Sequence, residues 1–266
     1  MSLTFTLIQT HLHWEVKLAN LMMLEEKIAS IKQKTEVVIL PEMFSTGFSM
    51  EPERFAETMD GPTVVWMKQM AVQHKIILTG SLMIKEDNRY FNRLIWMLPT
   101  GNFGYYDKRH CFAFAGENEH YTPGNKRLIA QVKGWKINLQ ICYDLRFPVW
   151  ARQEKNETDS LEYDILLNVA NWPERRNHAW KTLLTARAIE NQCFVIGVNR
   201  VGNDGNTIYH SGDSMVINPL GEILYHKAHD EDIFTITLEK QTLEQIRQKY
   251  PFWKDADHFR IMNEDI

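Results

Sequence analysis

The chain has 266 residues, with 30 Lys+Arg against 34 Asp+Glu and a formal net charge of −4. Hydrophobic residues at 44% and charged residues at 24% are globular proportions, which excludes a disordered or collagen-like chain, while the acidic balance argues against a non-specific nucleic-acid binder. No apolar run approaches the roughly 18 residues of a membrane span. Three scattered cysteines, Cys111, Cys142 and Cys193, are too few for a disulfide scaffold and lack the spacing of a thiolate zinc site. With no basic, apolar leader at MSLTFTLIQT, a cytoplasmic location is expected.

Residues 3–9 read as a strand and 15–33 as a helix, with Leu18, Leu21, Met22, Ile28 and Ile31 on or near one face. Val37 to Leu40 is a buried strand that Pro41 ends. A helix over 63–74 and a strand over 76–82 follow. Arg93 to Leu98 and Phe103 to Asp107 flank Pro99-Thr100-Gly101-Asn102, a hairpin signal. Lys136 to Ile141 is a strand running into Cys142, and Asp164 to Val169 is another. His178 to Gln192 is a helix with Leu183, Leu184, Ala188 and Ile189 available for packing, and Cys193 to Val198 returns as a strand. Ser214 to Asn218 and Ile223 to His226 straddle a second turn, and 240–249 forms a closing helix. The polar stretch from Arg152 to Glu162 is a surface excursion rather than a linker. This alternation predicts one α/β domain over 1–266.

Three reactive side chains directly follow buried apolar strands, where α/β sheets usually carry their sites. Glu42, after Val37 to Pro41, is either a solvated strand-end carboxylate or a desolvated one whose raised pKa suits a base. Lys108, in Tyr106-Asp107-Lys108-Arg109-His110, is either part of a solvated basic edge or a fixed donor for an oxyanion. Cys142, where a strand meets a turn, is either a structural thiol or a nucleophile activated by backbone N–H groups. Cys193 belongs to the core. Cys111 and His110 are adjacent on extended chain and face opposite ways, but a distant histidine such as His74, His110, His120 or His178 leaves a Cys–His pair open.

Taken in order, Pro41-Glu42-Met43-Phe44, Asp107-Lys108-Arg109-His110 and Cys142-Tyr143-Asp144-Leu145-Arg146-Phe147-Pro148 resemble the nitrilase superfamily of carbon–nitrogen hydrolases. The resemblance continues through Asn168-Val169-Ala170-Asn171-Trp172-Pro173, Ala186-Arg187-Ala188-Ile189-Glu190-Asn191-Gln192 and Gly212-Asp213-Ser214. It is most like the omega-amidase branch, which hydrolyses the side-chain amide of 2-oxoglutaramate and 2-oxosuccinamate. It implies an α/β fold, a four-layer α-β-β-α sandwich, and a metal-free, cofactor-free Glu–Lys–Cys mechanism. In that mechanism Glu42 is the base, Cys142 forms a thioester, and Lys108 with the Tyr143 N–H holds the oxyanion. A second family glutamate falls on Glu117, with Glu119 its rival.

An amide is a poor electrophile, so covalent catalysis that divides its hydrolysis into two steps fits the chemistry. A small 2-oxo acid omega-amide needs a cation for its carboxylate, and Arg146 and Arg175 or Arg176 are candidates; Arg146 would otherwise pair with Asp144 or another acid, and Arg175 and Arg176 would otherwise belong to a solvated loop. Phe44, Tyr143 and Trp172 either wall a small pocket or join the core. Arg187 and Glu190 form a helical pair. Nucleic acid and membrane are not expected partners, and the resemblance suggests a homodimer pairing across helices; the tail with Trp253 and Phe259 either joins that pairing or packs on its own subunit. The rival activities are a deaminated-glutathione amidase and a nitrilase; outside the superfamily they are an inactive binding module and a cysteine protease.

Overall fold

The computed structural model describes residues 1–153 and 161–262. In chain order its first half runs β1 (Ser2–Gln9), α1 (Lys17–Ala29), β2 (Val37–Ile39), α2 (Pro52–Phe55), α3 (Pro62–His74), β3 (Ile77–Glu86), β4 (Arg89–Met97), β5 (Phe103–Asp107) and α4 (Glu117–His120). The second half runs β6 (Ile129–Val132), β7 (Trp135–Ile141), α5 (Pro148–Ala151), β8 (Ile165–Ala170), α6 (Asn177–Asn191) and β9 (Phe194–Asn199). It closes with β10 (Val201–Asn203), β11 (Tyr209–Ile217), β12 (Ile223–Ala228), β13 (Asp232–Glu239) and α7 (Lys240–Lys249).

Two mixed sheets face each other. One has the order β13-β1-β2-β3-β4-β5; the other has the order β10-β11-β9-β8-β7-β6, with β12 on β11. The pleat sends alternate side chains to opposite faces, and in the inner strands β2, β8 and β9 both faces are buried, so these strands read as largely apolar runs rather than alternating ones. Val37 and Ile39 meet Ile137, Leu139 and Ile141 between the sheets, while Val38 turns outward to Leu24, Ile28 and Met67 of α1 and α3. In the second sheet Ile165 and Leu167 face inward, and Leu166 and Val195 pack under Trp180, Leu184 and Ala188 of α6. The result is the four-layer α-β-β-α sandwich. No helix among the described residues is long and apolar enough to cross a membrane.

Several expectations need correction. Helix α1 is shorter than 15–33, and Leu18 and Met22 point to solvent. Its inner face is Asn20, Leu24 and Ile28, because Asn20 bonds backbone groups: it donates to the carbonyls of His13 and Ser45 and accepts from the His13 N–H. On α6, Ile189 is likewise exposed. Strands β6, β10 and β13 went unread. The last pairs antiparallel with β1 along its full length, from Ser2 opposite Glu239 to Gln9 opposite Asp232. Part of the 152–162 excursion lies outside the described residues.

Candidate active site

Glu42, Lys108 and Cys142 come from the carboxyl ends of β2, β5 and β7, and the packing of one sheet on the other brings these ends together. After β2 the chain turns at Met43, whose φ is +44°. The turn is pinned by Ser81, whose Oγ accepts the Met43 N–H and whose carbonyl accepts that of Phe44. Lys108 is fixed through its backbone: its N–H donates to the Asn92 carbonyl at 3.0 Å, and its carbonyl accepts from Gly124. A side chain at Gly124 would collide with the Asp107 carbonyl. Cys142 begins a 3-10 turn over Cys142–Arg146 with φ +45°, a conformation unusual for a residue other than glycine and often held at functional sites.

Asp144 holds that turn in place. Its buried carboxylate accepts the Ile141 N–H at 3.0 Å and the Tyr106 hydroxyl at 2.7 Å on one oxygen; the other oxygen takes the His110 N–H at 3.0 Å and His110 Nδ1 at 2.8 Å. One carboxylate thus ties the Cys142 turn to the strand end that carries Lys108. With its oxygens so occupied, Asp144 does not pair with Arg146.

The charged centre is buried. Lys108 Nζ lies 2.9 Å from Glu42 Oε1 and 2.9 and 2.8 Å from the two oxygens of Glu117. Asn92 Nδ2 donates to Glu42 Oε1 at 2.8 Å and to Glu117 Oε1 at 3.2 Å. Glu42 Oε2 accepts the Asn171 N–H at 2.8 Å, and Asn171 Nδ2 bonds the Glu42 carbonyl. The Phe112 N–H closes on Glu117. Glu117 is fully buried here and Glu119 is exposed, so Glu117 is the second acid at the site. Asn92 and Asn171 were missed as contributors: a mid-strand asparagine gives no motif, and Asn171 was seen only as part of a longer resemblance.

Burial works against the Lys108 charge, but the carboxylates of Glu117 and Glu42 outweigh it and hold the ammonium well above the ordinary lysine range. Burial pushes the Glu117 carboxyl up, with Lys108 opposing and Glu42 adding to the rise. The Cys142 thiol is pushed well above the ordinary thiol range by burial and by the Glu42 carboxylate it hydrogen-bonds, with Lys108 pulling the other way. Thus Cys142 rests as a thiol facing a carboxylate, not as a free thiolate. The neighbouring groups that act on it are two carboxylates and an ammonium; His110 is held by Asp144 and stacked on Phe147 at 3.8 Å.

Cys142 opens on a cavity of about 210 Å³ whose walls include Phe48, Phe112, Tyr143, Arg146, Trp172, Arg175 and Arg176. The Arg146 guanidinium lies over Trp172 and that of Arg176 over Phe112, each 5.0 Å from the ring centre. Burial and the charges of Arg175 and Arg146 lower the pKa of Arg176. Among the described residues none of these three guanidiniums has a carboxylate partner. Phe44 is not part of the wall. The turn at Met43 sends it into the core, fully buried against Trp66 and over Gly80. Cys193 is buried, and Cys111 bonds the Tyr121 carbonyl. Arg187 pairs with Glu190 at 2.9 Å. Among the described residues no cluster of three His, Cys, Asp or Glu is arranged for a metal.

Comparison with known proteins agrees with this architecture. The carbon–nitrogen hydrolase family profile matches residues 5–248. The chain is 43% identical over 260 residues to the omega-amidase YafV of Escherichia coli K12, covering 97% of this chain and 98% of that one. It is 28% identical over 258 residues to a 2-oxoglutaramate amidase of Bacillus subtilis, covering 96% and 98%. A solved structure, XC1258 of Xanthomonas campestris, a CN-hydrolase superfamily protein with an arsenic adduct in its active site, superposes with a TM-score of 0.96. It is 42% identical, covering 98% of this chain and all of that one. The chain belongs to the carbon–nitrogen hydrolase family.

Proposed function

We propose that the protein is a thiol-dependent omega-amidase that hydrolyses the terminal amide of small 2-oxo acids such as 2-oxoglutaramate and 2-oxosuccinamate, with Cys142, Glu42, Lys108 and Glu117 as its working groups. The supporting observation is the juxtaposition of a buried, paired acid–amine cluster with a cavity that presents, beside the same sulfur, guanidiniums with no carboxylate partner among the described residues. The relatives named as omega-amidase and 2-oxoglutaramate amidase support the substrate class.

The Cys142 thiol gives its proton to Glu42 as sulfur bonds to the amide carbon, and the carbonyl electron pair moves onto oxygen. Lys108 and the Tyr143 N–H stabilise that oxyanion. The tetrahedral centre collapses, the C–N bond breaks, and Glu42 returns the proton to the departing nitrogen, which leaves as ammonia. Glu42 then takes a proton from water as its oxygen attacks the thioester; collapse frees the dicarboxylate, and the proton returns to the thiolate. Glu117 completes the charge balance around Lys108. Two half-buried guanidiniums, Arg146 and Arg176, clamp the substrate carboxylate, with Arg175 at the rim and Tyr143 and Trp172 as walls.

A cytoplasmic location and a homodimer belong to the same proposal. Three scattered cysteines suit a reducing compartment, and exposed Ile189 lies against the turn that carries exposed Leu220, an apolar surface that suits a second copy. Ammonia release by wild type and C142A, assayed with 2-oxoglutaramate, deaminated glutathione and an uncharged amide, tests the assignment. Turnover of 2-oxoglutaramate by the wild type only, in preference to the other two, is expected. Equal turnover of the uncharged amide would contradict the carboxylate clamp, and preference for deaminated glutathione would contradict the substrate.

A further inference from the structure

The three ammonium hydrogens of Lys108 face three contacts: Glu42 Oε1 and both oxygens of Glu117. An ammonium has three donors, so all are engaged before substrate arrives. For Lys108 to hold an oxyanion, one N–H must turn away from a buried carboxylate, which then needs another donor.

Asn92 stands at that joint. Its Nδ2 carries two hydrogens and reaches Glu42 Oε1 at 2.8 Å and Glu117 Oε1 at 3.2 Å, the same two oxygens that Lys108 shares. The residue is 1% exposed, and its Oδ1 has no partner among the described residues, so the donor end is the one the site uses. The pleat of β4 sends Arg93 the opposite way, to Asp107 and Glu86. The Asn92 carbonyl also accepts the Lys108 N–H at 3.0 Å. One residue therefore holds the lysine's backbone and both of its carboxylates.

We infer that Asn92 is a positioning residue whose amide keeps Glu42 and Glu117 hydrogen-bonded while Lys108 turns one N–H toward the developing oxyanion. The inference rests on Glu42 as the base and Lys108 as the oxyanion donor. As sulfur bonds to carbon, the thiol proton moves to Glu42 and negative charge appears on the substrate oxygen. The ammonium is drawn from an acid that has just become neutral to an oxygen that has just become charged. Lys108 keeps all three protons throughout, and the Asn92 amide remains on the carboxyl group that the ammonium leaves.

The experiment is the measurement of kcat and KM for 2-oxoglutaramate in N92L and N92D, beside wild type, C142A and E42Q, with melting curves for each. In N92L, kcat should fall about ten- to a hundredfold, the scale of a misplaced catalytic group, with KM little changed. N92D turns a donor into an acid facing two carboxylates, so it should lose more kcat than N92L at neutral pH. Wild-type kcat in N92L, or a loss carried by KM, would overturn the assignment. So would failure of both variants to fold, because Asn92 would then be a core residue. Failure of the underlying mechanism looks different: C142A or E42Q would retain activity.

Discussion

Two charged regions meet at Cys142 and are built on opposite terms. Around Lys108, every charge is buried and answered: the ammonium by Glu42 and Glu117, and the carboxylates by Asn92, Asn171 and Phe112 as well. Across the cavity, Arg146, Arg175 and Arg176 crowd together with aromatic rings beside two of them and no carboxylate partner among the described residues. Buried ions are costly unless paired, so the first region is a self-sufficient apparatus whose charges move only during reaction. The second lowers its own energy when an anion arrives. Damage to the first should appear in kcat and damage to the second in KM.

The largest effect is expected from C142A. It should lose about 10⁴-fold or more in ammonia release, as removal of a covalent nucleophile does, with its melting temperature near that of the wild type. E42Q should lose about 10²- to 10⁴-fold in kcat with KM nearly unchanged; a pure KM effect would blur the division between the regions. On the other wall, R146M or R176M should raise KM about ten- to a hundredfold, the scale of one or two charge-assisted hydrogen bonds, while leaving kcat nearly intact. An uncharged amide should not register the change. If kcat fell instead, the arginines would belong to the reacting centre.

A subtler test concerns the sulfur. Burial and the Glu42 carboxylate raise the Cys142 pKa, so its thiolate appears only as pH climbs above the ordinary thiol range. Iodoacetamide labelling should have a correspondingly high midpoint, and E42Q should move it down, because the opposing Lys108 charge then acts without that carboxylate. A midpoint that rises in E42Q would reverse the sign of the interaction. The smallest effect is expected from C111S. Burial pushes the Cys111 thiol up to about 12, and its Sγ bonds the Tyr121 carbonyl, so kcat should stay within about twofold of wild type.

The two regions also differ in how much the amino-acid sequence reveals of them. Glu42, Lys108 and Cys142 stand out because each interrupts an apolar run just where a strand ends, and the family resemblance orders them. Between Glu117 and Glu119, spacing cannot decide; the Gly116–Glu117 turn does, burying one carboxylate under Lys108 and leaving the other in water. Phe44 was misread because the left-handed turn at Met43 redirects the next side chain into the core, and a bend of that kind has no signature in residue types. Asn92 is silent for a related reason: a polar residue in a strand reads as its wet face until the second sheet and the Glu117 turn cover it. The α/β class was legible because apolar strands alternate with amphipathic stretches, and the family resemblance implied the four layers, whereas strand β13 has a pairing partner more than two hundred residues away.

The most direct test of the central claim is the mass of the enzyme quenched in acid during steady-state turnover of 2-oxoglutaramate, followed by peptide mapping. The mechanism predicts a population carrying one 2-oxoglutaryl group as a thioester on the peptide that contains Cys142, enriched in variants whose water-activation step is slowed and absent in C142A. Turnover by C142A, or an acyl group found on any other residue, would contradict it.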